Sequence, residues 1–329
     1  MRTKQRVFSG VQPTGEMHIG TYLGAFRNWV RLQDDYDTIY CLVDLHAITV
    51  PQDPDELRRH RINGAKVLMA VGIDPDRALV YAQSYVPQHA ELAWILGTVT
   101  PMGVLNRMTQ FKEKTGQGAA PNLGLYSYPV LMAADILIHR ANLVPVGDDQ
   151  KQHLEMTRDL AERFNNRFGD VFPIPEPLIP KTAARVMSLT NPTAKMSKSE
   201  PNVKSRIGIV DLPDVIVKRI KSAVTDSEPT VRYDREAKPG ISNLLEIMSA
   251  CTGRPVDGLV DEYGDGGYGR FKLAVADALV ETLEPIRATY HSLDDGDIAK
   301  LLATGAERAG AQAEHYQREV RTAVGLDKV

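Results

Sequence analysis

The chain has 329 residues, 43% of them apolar and 25% charged, with a formal net charge of −3. That is the balance of a globular protein with room for about two domains, and it excludes a disordered or collagen-like chain. Two cysteines, Cys41 and Cys251, cannot build a disulfide framework or a four-thiolate zinc site, which predicts reduced thiols and a cytoplasmic home.

The start, MRTKQRVFSG, has no apolar run behind its basic residues, so no secretory signal is expected. RVFSG (6–10) reads as a strand. A turn through Pro13-Thr14-Gly15 follows, and a helix opens near His18 with Ile19, Leu23, Phe26 and Val30 on one face. DTIYCLVDL (37–45) is a β-branched and apolar run suited to a buried strand. PDELRRHRINGAKVLMAVGI (54–73) has helical periodicity and a proline near its start, and ends near Gly72. RALVYAQS (77–84) is another strand and AELAWILG another helix. ANLVPVGDD is a strand reaching Gly147, with a helix beginning beside Asp148 or Asp149 and carrying Leu154, Leu160 and Phe164. Strand and helix in alternation predict an α/β domain around a parallel sheet. Residues 171–203 are rich in Pro, Ser, Thr and Asn without a sustained period, which predicts a long irregular connection. From Leu212 to about Tyr290 the patterns are helical, and about 297–324 form one more helix. The expected fold is therefore a Rossmann-like, doubly wound parallel sheet followed by a smaller all-helical C-terminal domain. No run of about 20 apolar residues exists, so no membrane span is expected.

Two stretches suggest chemistry. In VQPTGEMHIGTYLGAF (11–26) a strand gives way to a turn and at once to a helix start, where N–H groups and the partial positive charge favour an anion. His18 adds a donor, and Gly20 permits close approach to the backbone; a packing histidine and a packing glycine would read the same. In KMSKS (195–199) two lysines interleave with serines on the irregular connection, a compact donor set able to close on a polyphosphate. Alone, it would be a solvated basic loop. The pairing of the two stretches favours a triphosphate.

With PTGEMHIGT and KMSKS in place, the chain resembles the class I aminoacyl-tRNA synthetases. FSGVQPTG, VDLHAIT, RMTQFKEK, YPVLMAADIL, PVGDDQKQHLEMTRDLAERF and KSAVTDSEPTVRYDREAKPGISNLL extend the resemblance to bacterial-type tryptophanyl-tRNA synthetases over nearly the whole chain. The resemblance implies that Gln12, Pro13, Thr14, Gly20 and Thr21 line an ATP site with His18 near the phosphates. Gly147, Asp148 and Asp149 would hold the ribose, and Val186 would meet the adenine edge. Lys195, Met196, Ser197, Lys198 and Ser199 would clamp the phosphates, and Lys114 would touch the departing pyrophosphate. Asp135 would accept the indole N–H of tryptophan, with Phe8, His46, Tyr128, Met132, Val144, Val146 and Gln150 shaping that pocket. The first signature ends in Thr21 where the family usually has His or Asn; the threonine keeps a hydroxyl but loses reach.

By the same resemblance, residues 1–195 form the catalytic domain, with a connective insertion at about 100–140. Residues 196–292 form a helical domain that recognises the anticodon, and 293–329 a helix packing back on the catalytic domain. The implied partners are tRNA(Trp), L-tryptophan, ATP as substrate and a second copy of the chain. Mg2+ is expected to be held mainly through phosphates, with no protein metal site. The implied reaction is formation of tryptophanyl-adenylate and pyrophosphate, then transfer to the 3′-terminal ribose of tRNA.

The chemistry agrees with these roles. The amino-acid carboxylate is itself the nucleophile, so catalysis requires alignment and neutralisation of charge on the leaving pyrophosphate. Asp135, in the apolar run LMAADILIH, is costly to bury without a partner, and an indole N–H is a donor with no acceptor capacity. A structural partner for that carboxylate is the alternative. GDGGYG (264–269) follows no strand, so it reads as an interhelical loop and not a dinucleotide site. KRIK (218–221) is a solvated helix face or a patch for a tRNA backbone. The rival functions are a tyrosyl-type synthetase, since a carboxylate also accepts from a phenol, a non-catalytic synthetase-like nucleotide- or RNA-binding protein, and a small nucleotidyltransferase.

Overall fold

The computed structural model describes residues 4–108, 122–147, 150–179, 185–198 and 200–328. Strands β1 (Arg6–Val11), β2 (Asp37–Leu42), β3 (Ala78–Ala82), β4 (Leu143–Pro145) and β5 (Glu176–Leu178) form one sheet. Its order is β3-β2-β1-β4-β5, and every pairing is parallel. The side-chain period of two sorts the strands onto two buried faces. Tyr40, Leu42, Val80 and Ala82 join one apolar cluster, whereas Phe8, Ile39, Cys41, Leu79 and Tyr81 join the other.

On the first face lie α1 (Ile19–Thr21), a π-helical turn (Tyr22–Phe26), α2 (Arg27–Asp35) and, beyond the short α3 (Asp44–Ala47), α4 (Pro54–Ala70). The buried face differs from the expected one. After Ile19, Leu23 and Phe26 the buried face picks Trp29 and Gln33, and Val30 is only partly buried. Phe26, Trp29 and Gln33 stand three and then four apart, the ordinary spacing of one face of the α-helix that follows the π turn. Trp29 stacks on Tyr40 at 4.8 Å, whose hydroxyl donates to the Trp29 carbonyl at 2.6 Å. Asp53 caps α4 by accepting from the N–H groups of Asp55 and Glu56.

The second face is covered by α5 (Gln88–Gly97), α6 (Met102–Leu105), α7 (Leu123–Leu137) and α8 (Lys151–Phe168). The strand expected to reach Gly147 ends at Pro145. Within the connection read as irregular, Glu176–Leu178 is the edge strand β5. Three residues containing Pro177 show no alternation to read, and proline is tolerated on an edge.

Helices α9 (Pro213–Lys221), α10 (Pro239–Thr252), α11 (Val256–Tyr263) and α12 (Gly267–Ser292) follow, and their core is continuous with that of the first sheet face. GDGGYG lies at the α11–α12 junction. The last helix, α13 (Asp295–Val324), returns to the sheet. Its Ile298 and Leu302 join the first cluster and its Ala306, Ala309 and Ala313 the second, so it crosses the outer strand β3 from one face to the other. The approach is close enough that a Cβ on Gly305 would stand 1.8 Å from the Val80 carbonyl oxygen. Among the described residues no helix is long and apolar enough to cross a membrane.

Candidate active site

The chain order reverses between β1 and β4, the point where open parallel sheets bind ligands at their carboxyl ends. Gln12 to Thr14 leave β1 there, His46 follows β2, Gln83 follows β3, and Val146 and Gly147 follow β4.

The two signature stretches meet. Lys198 Nζ donates to the Gln12 carbonyl at 3.0 Å, and a Cβ on Gly15 would stand 3.9 Å from Lys198 Cβ. Backbone pairing locks the neighbourhood: His18 bridges Gly208, Ile19 N–H donates to the Ile207 carbonyl at 2.8 Å, and Ile209 N–H donates to Met17 at 2.9 Å. The segment after KMSKS is thus stitched to the segment before the first helix. Ahead of KMSKS, Met187 bridges Lys195, and Met196 N–H donates to the Val186 carbonyl at 3.1 Å. Asn243 of α10 clamps Met187, accepting from its N–H at 2.8 Å and donating to its carbonyl at 3.0 Å.

The helix start offers fewer amides than expected. Ile19 N–H is taken by Ile207, and Thr21 and Tyr22 N–H groups both point to the His18 carbonyl. Positive character comes instead from cations around His18. That imidazole is buried, and burial together with Lys198, Arg206 and Lys195 lowers its pKa to about 4. It is therefore neutral at pH 7. Gly20 is required by this ring, since a Cβ there would come within 3.0 Å of His18 Nδ1 and 3.5 Å of Val186 Cβ. Burial lowers Lys198 to about 8, so this lysine is still mostly a cation at neutral pH but loses its charge within the mildly alkaline range.

A second cluster surrounds Asp135 on α7, which is 1% exposed. His46 Nε2 stands 2.8 Å from Oδ2, and Gln83 Nε2 donates to Oδ1 at 2.6 Å. The Gln83 amide is fixed by its other end, where Oε1 accepts from Leu45 N–H at 3.1 Å. His89 Nδ1 lies 2.7 Å from Oδ1 in a bent contact. Burial pushes the carboxyl up, but the bonds from His46 and His89 outweigh it and hold Asp135 at about 2. Beside it His46 meets Tyr128 edge-on at 6.1 Å, and the Tyr128 hydroxyl bonds His153 at 2.7 Å. Phe8, Val144 and Val146 belong to the adjoining apolar cluster, with Met132 packed against it. Gln150 N–H donates to the Gly147 carbonyl at 3.1 Å at the start of α8. Lys114, Asp148, Asp149 and Ser199 lie outside the described residues.

Reading the motifs missed Gln83, His89, Arg206 and Asn243. Gln83 had a signal, as the polar residue next after a strand at the carboxyl edge. The others are placed by tertiary contact alone.

A parallel sheet with a His-Ile-Gly helix start facing a Lys-Met-Ser-Lys loop defines the class I aminoacyl-tRNA synthetases. The family model described as tRNA synthetases class I (W and Y) matches residues 1–284. The tryptophan–tRNA ligase of Caldanaerobacter subterraneus subsp. tengcongensis is 53% identical over 322 residues, covering 98% of each chain. Among solved structures, the tryptophanyl-tRNA synthetase of Mycoplasma pneumoniae superposes with a TM-score of 0.89 at 34% identity over 99% of each chain. That of Campylobacter jejuni, complexed with ADP and tryptophan, gives 0.86 at 34% identity over 98% of this chain and 100% of its own. The chain belongs to the class I tRNA synthetase family for tryptophan and tyrosine.

Proposed function

We propose that this chain is a tryptophan–tRNA ligase. It joins L-tryptophan to ATP as tryptophanyl-adenylate, releasing pyrophosphate, and passes tryptophan to the 3′-terminal ribose of tRNA(Trp). The observation that carries the reading is the Lys198–Gln12 contact, which brings the two signatures together at the carboxyl edge of the sheet. Kinship with ligases named for tryptophan favours that amino acid over tyrosine.

In this reading Gln12, Pro13, Thr14, Gly20, Thr21 and Gly147 line the nucleotide. Val186, whose carbonyl is engaged by Met196, meets adenine through its amide side. Neutral His18 donates to phosphate, and Lys195 to Lys198 neutralise charge as pyrophosphate departs. The groups around His18 are cations that cannot ligate a metal, so Mg2+ is held by phosphate oxygens and water. Asp135 has about four acceptor sites when ionised; Gln83 donates to Oδ1, which His89 also faces in its bent contact, and His46 alone faces Oδ2. The open site on Oδ2 takes the indole N–H, with Phe8, His46, Tyr128, Met132, Val144, Val146 and Gln150 around the ring. Lys114, Asp148, Asp149 and Ser199 keep their family roles in this proposal. Residues 1–195 carry this chemistry, 196–292 meet the anticodon, and 293–329 support the catalytic part.

The enzyme works as a cytoplasmic homodimer. Trp94, Met102 and Leu123, on helices α5, α6 and α7, are 78%, 64% and 77% exposed, large apolar side chains that a second copy would cover. Pyrophosphate exchange into ATP, run with each of the twenty amino acids, tests the activity. Tryptophan alone should support exchange; exchange with tyrosine and none with tryptophan would overturn the assignment.

A further inference from the structure

Behind Asp135 runs a row of polar side chains that the motifs leave unassigned. Arg6 on β1 holds Asp37 at 2.8 Å through Nε and the His139 carbonyl at 2.8 Å through Nη1. Next to it is Gln312 on α13, then His139, Tyr81 and His89, the last three fully buried. The Tyr81 hydroxyl lies 2.7 Å from His139 Nε2 and 2.8 Å from His89 Nε2.

Every proton in this row is determined by its first member. A guanidinium has donors only, so the Gln312 amide must turn its oxygen to Arg6, accepting from Nη1 at 3.1 Å and Nη2 at 2.9 Å. The opposite amide orientation, with oxygen 2.8 Å from His139 Nδ1, would set N–H groups against the guanidinium. The Gln312 amide nitrogen is then a donor 2.8 Å from His139 Nδ1, which must be bare. His139 carries its proton on Nε2 and donates to the Tyr81 oxygen. Tyr81 also meets the Cys41 thiol, a much weaker acceptor than an imidazole nitrogen, so its proton goes to His89 Nε2. That leaves the His89 proton on Nδ1, facing Asp135 Oδ1 at 2.7 Å in a short, bent contact. Reversal would require both His89 nitrogens to carry protons, or a bare nitrogen to face the carboxylate. Burial, aided by His89, lowers His139 to about 3, in keeping with the single proton assigned to it. His139, Tyr81 and His89 are fully buried, and aligned bonds in a buried chain polarise one another.

We propose that Arg6, Gln312, His139, Tyr81 and His89 form a one-way hydrogen-bond chain that fixes Asp135 as a pure acceptor, making Gln312 and both histidines positioning residues for recognition of a ring N–H. The inference rests on the reading above that Asp135 meets the indole nitrogen. It extends amino-acid selection to a helix that crosses the far edge of the sheet.

Gln312→Glu is the discriminating variant. Glutamate preserves volume and the Arg6 contact, but it replaces the donor facing His139 by an acceptor and so inverts the chain. Imidazole 15N spectra of the unmodified protein should show His89 protonated on Nδ1 and His139 on Nε2; Gln312→Glu should move the His139 proton to Nδ1. Opposite tautomers in the unmodified protein would overturn the chain. In pyrophosphate exchange the variant should raise KM for tryptophan about tenfold, the scale of one weakened bond to a charged group, with KM for ATP unchanged. It should also narrow the preference for tryptophan over its benzothiophene analogue, in which sulfur replaces the N–H. An unmoved preference would refute the positioning role. Absence of any exchange with tryptophan in the unmodified protein would defeat the proposed function instead, and the tautomers would still decide the chain.

Discussion

In the proposed reaction Lys198 and Asp135 divide the chemistry between a charge that must come and go and a charge that must stay. Burial places Lys198 at about 8, so in the free enzyme it is protonated below that pH and neutral above it. ATP affinity should accordingly fall as pH rises past 8. Lys198→Arg, charged throughout, should flatten this alkaline limb in equilibrium ATP titrations, and Lys198→Ala should slow single-turnover adenylate formation by at least tenfold while tryptophan still binds. Asp135→Asn should do the reverse, raising KM for tryptophan tenfold or more and leaving nucleotide binding close to unchanged. Parallel losses in both variants would mean that the two jobs are not separate. Much of this scale was legible in the sequence. KMSKS and HIGT suggested by residue type and order that they would meet, as they do through Lys198 and Gln12, and Asp135 stands out as a carboxylate in an apolar run. The partners of Asp135 were not legible as a group, because Gln83, His89 and His46 come from separate elements and only folding makes them neighbours.

Among elements, α13 has the tightest contact described. Gly305→Ala should put a methyl into the Val80 carbonyl and force the helix outward. A loss of roughly 1–3 kcal/mol is expected from overpacking, read as a lower urea midpoint with an unchanged slope; an unaltered midpoint would show that the helix shifts freely. Strands and helices of the first 100 residues were readable because period-two and helical patterns are long there. β5 was not, since three residues with a proline carry no period. The π turn at Tyr22–Phe26 was hidden too, because a single wide turn inside a helix has no residue type or period of its own.

For the whole molecule, the exposed Trp94, Met102 and Leu123 predict self-association. Trp94→Lys should convert a dimer into a monomer in sedimentation velocity at micromolar concentration, with the circular dichroism spectrum retained. A native protein that sediments as a monomer would remove the basis for this prediction. The second copy was implied only by the family resemblance, and the surface could not be read from a sequence in which an apolar residue facing solvent looks like one facing the core.

Because α13 straddles β3, the rim of the sheet has no cover until a segment distant in sequence arrives. Pairing between far-separated segments is slow to form, and a bare strand rim invites other chains to add to it. Refolding from denaturant should therefore pass through a sticky stage whose yield depends on protein concentration, and a synthetic peptide spanning α13 should rescue that yield by shielding the rim early.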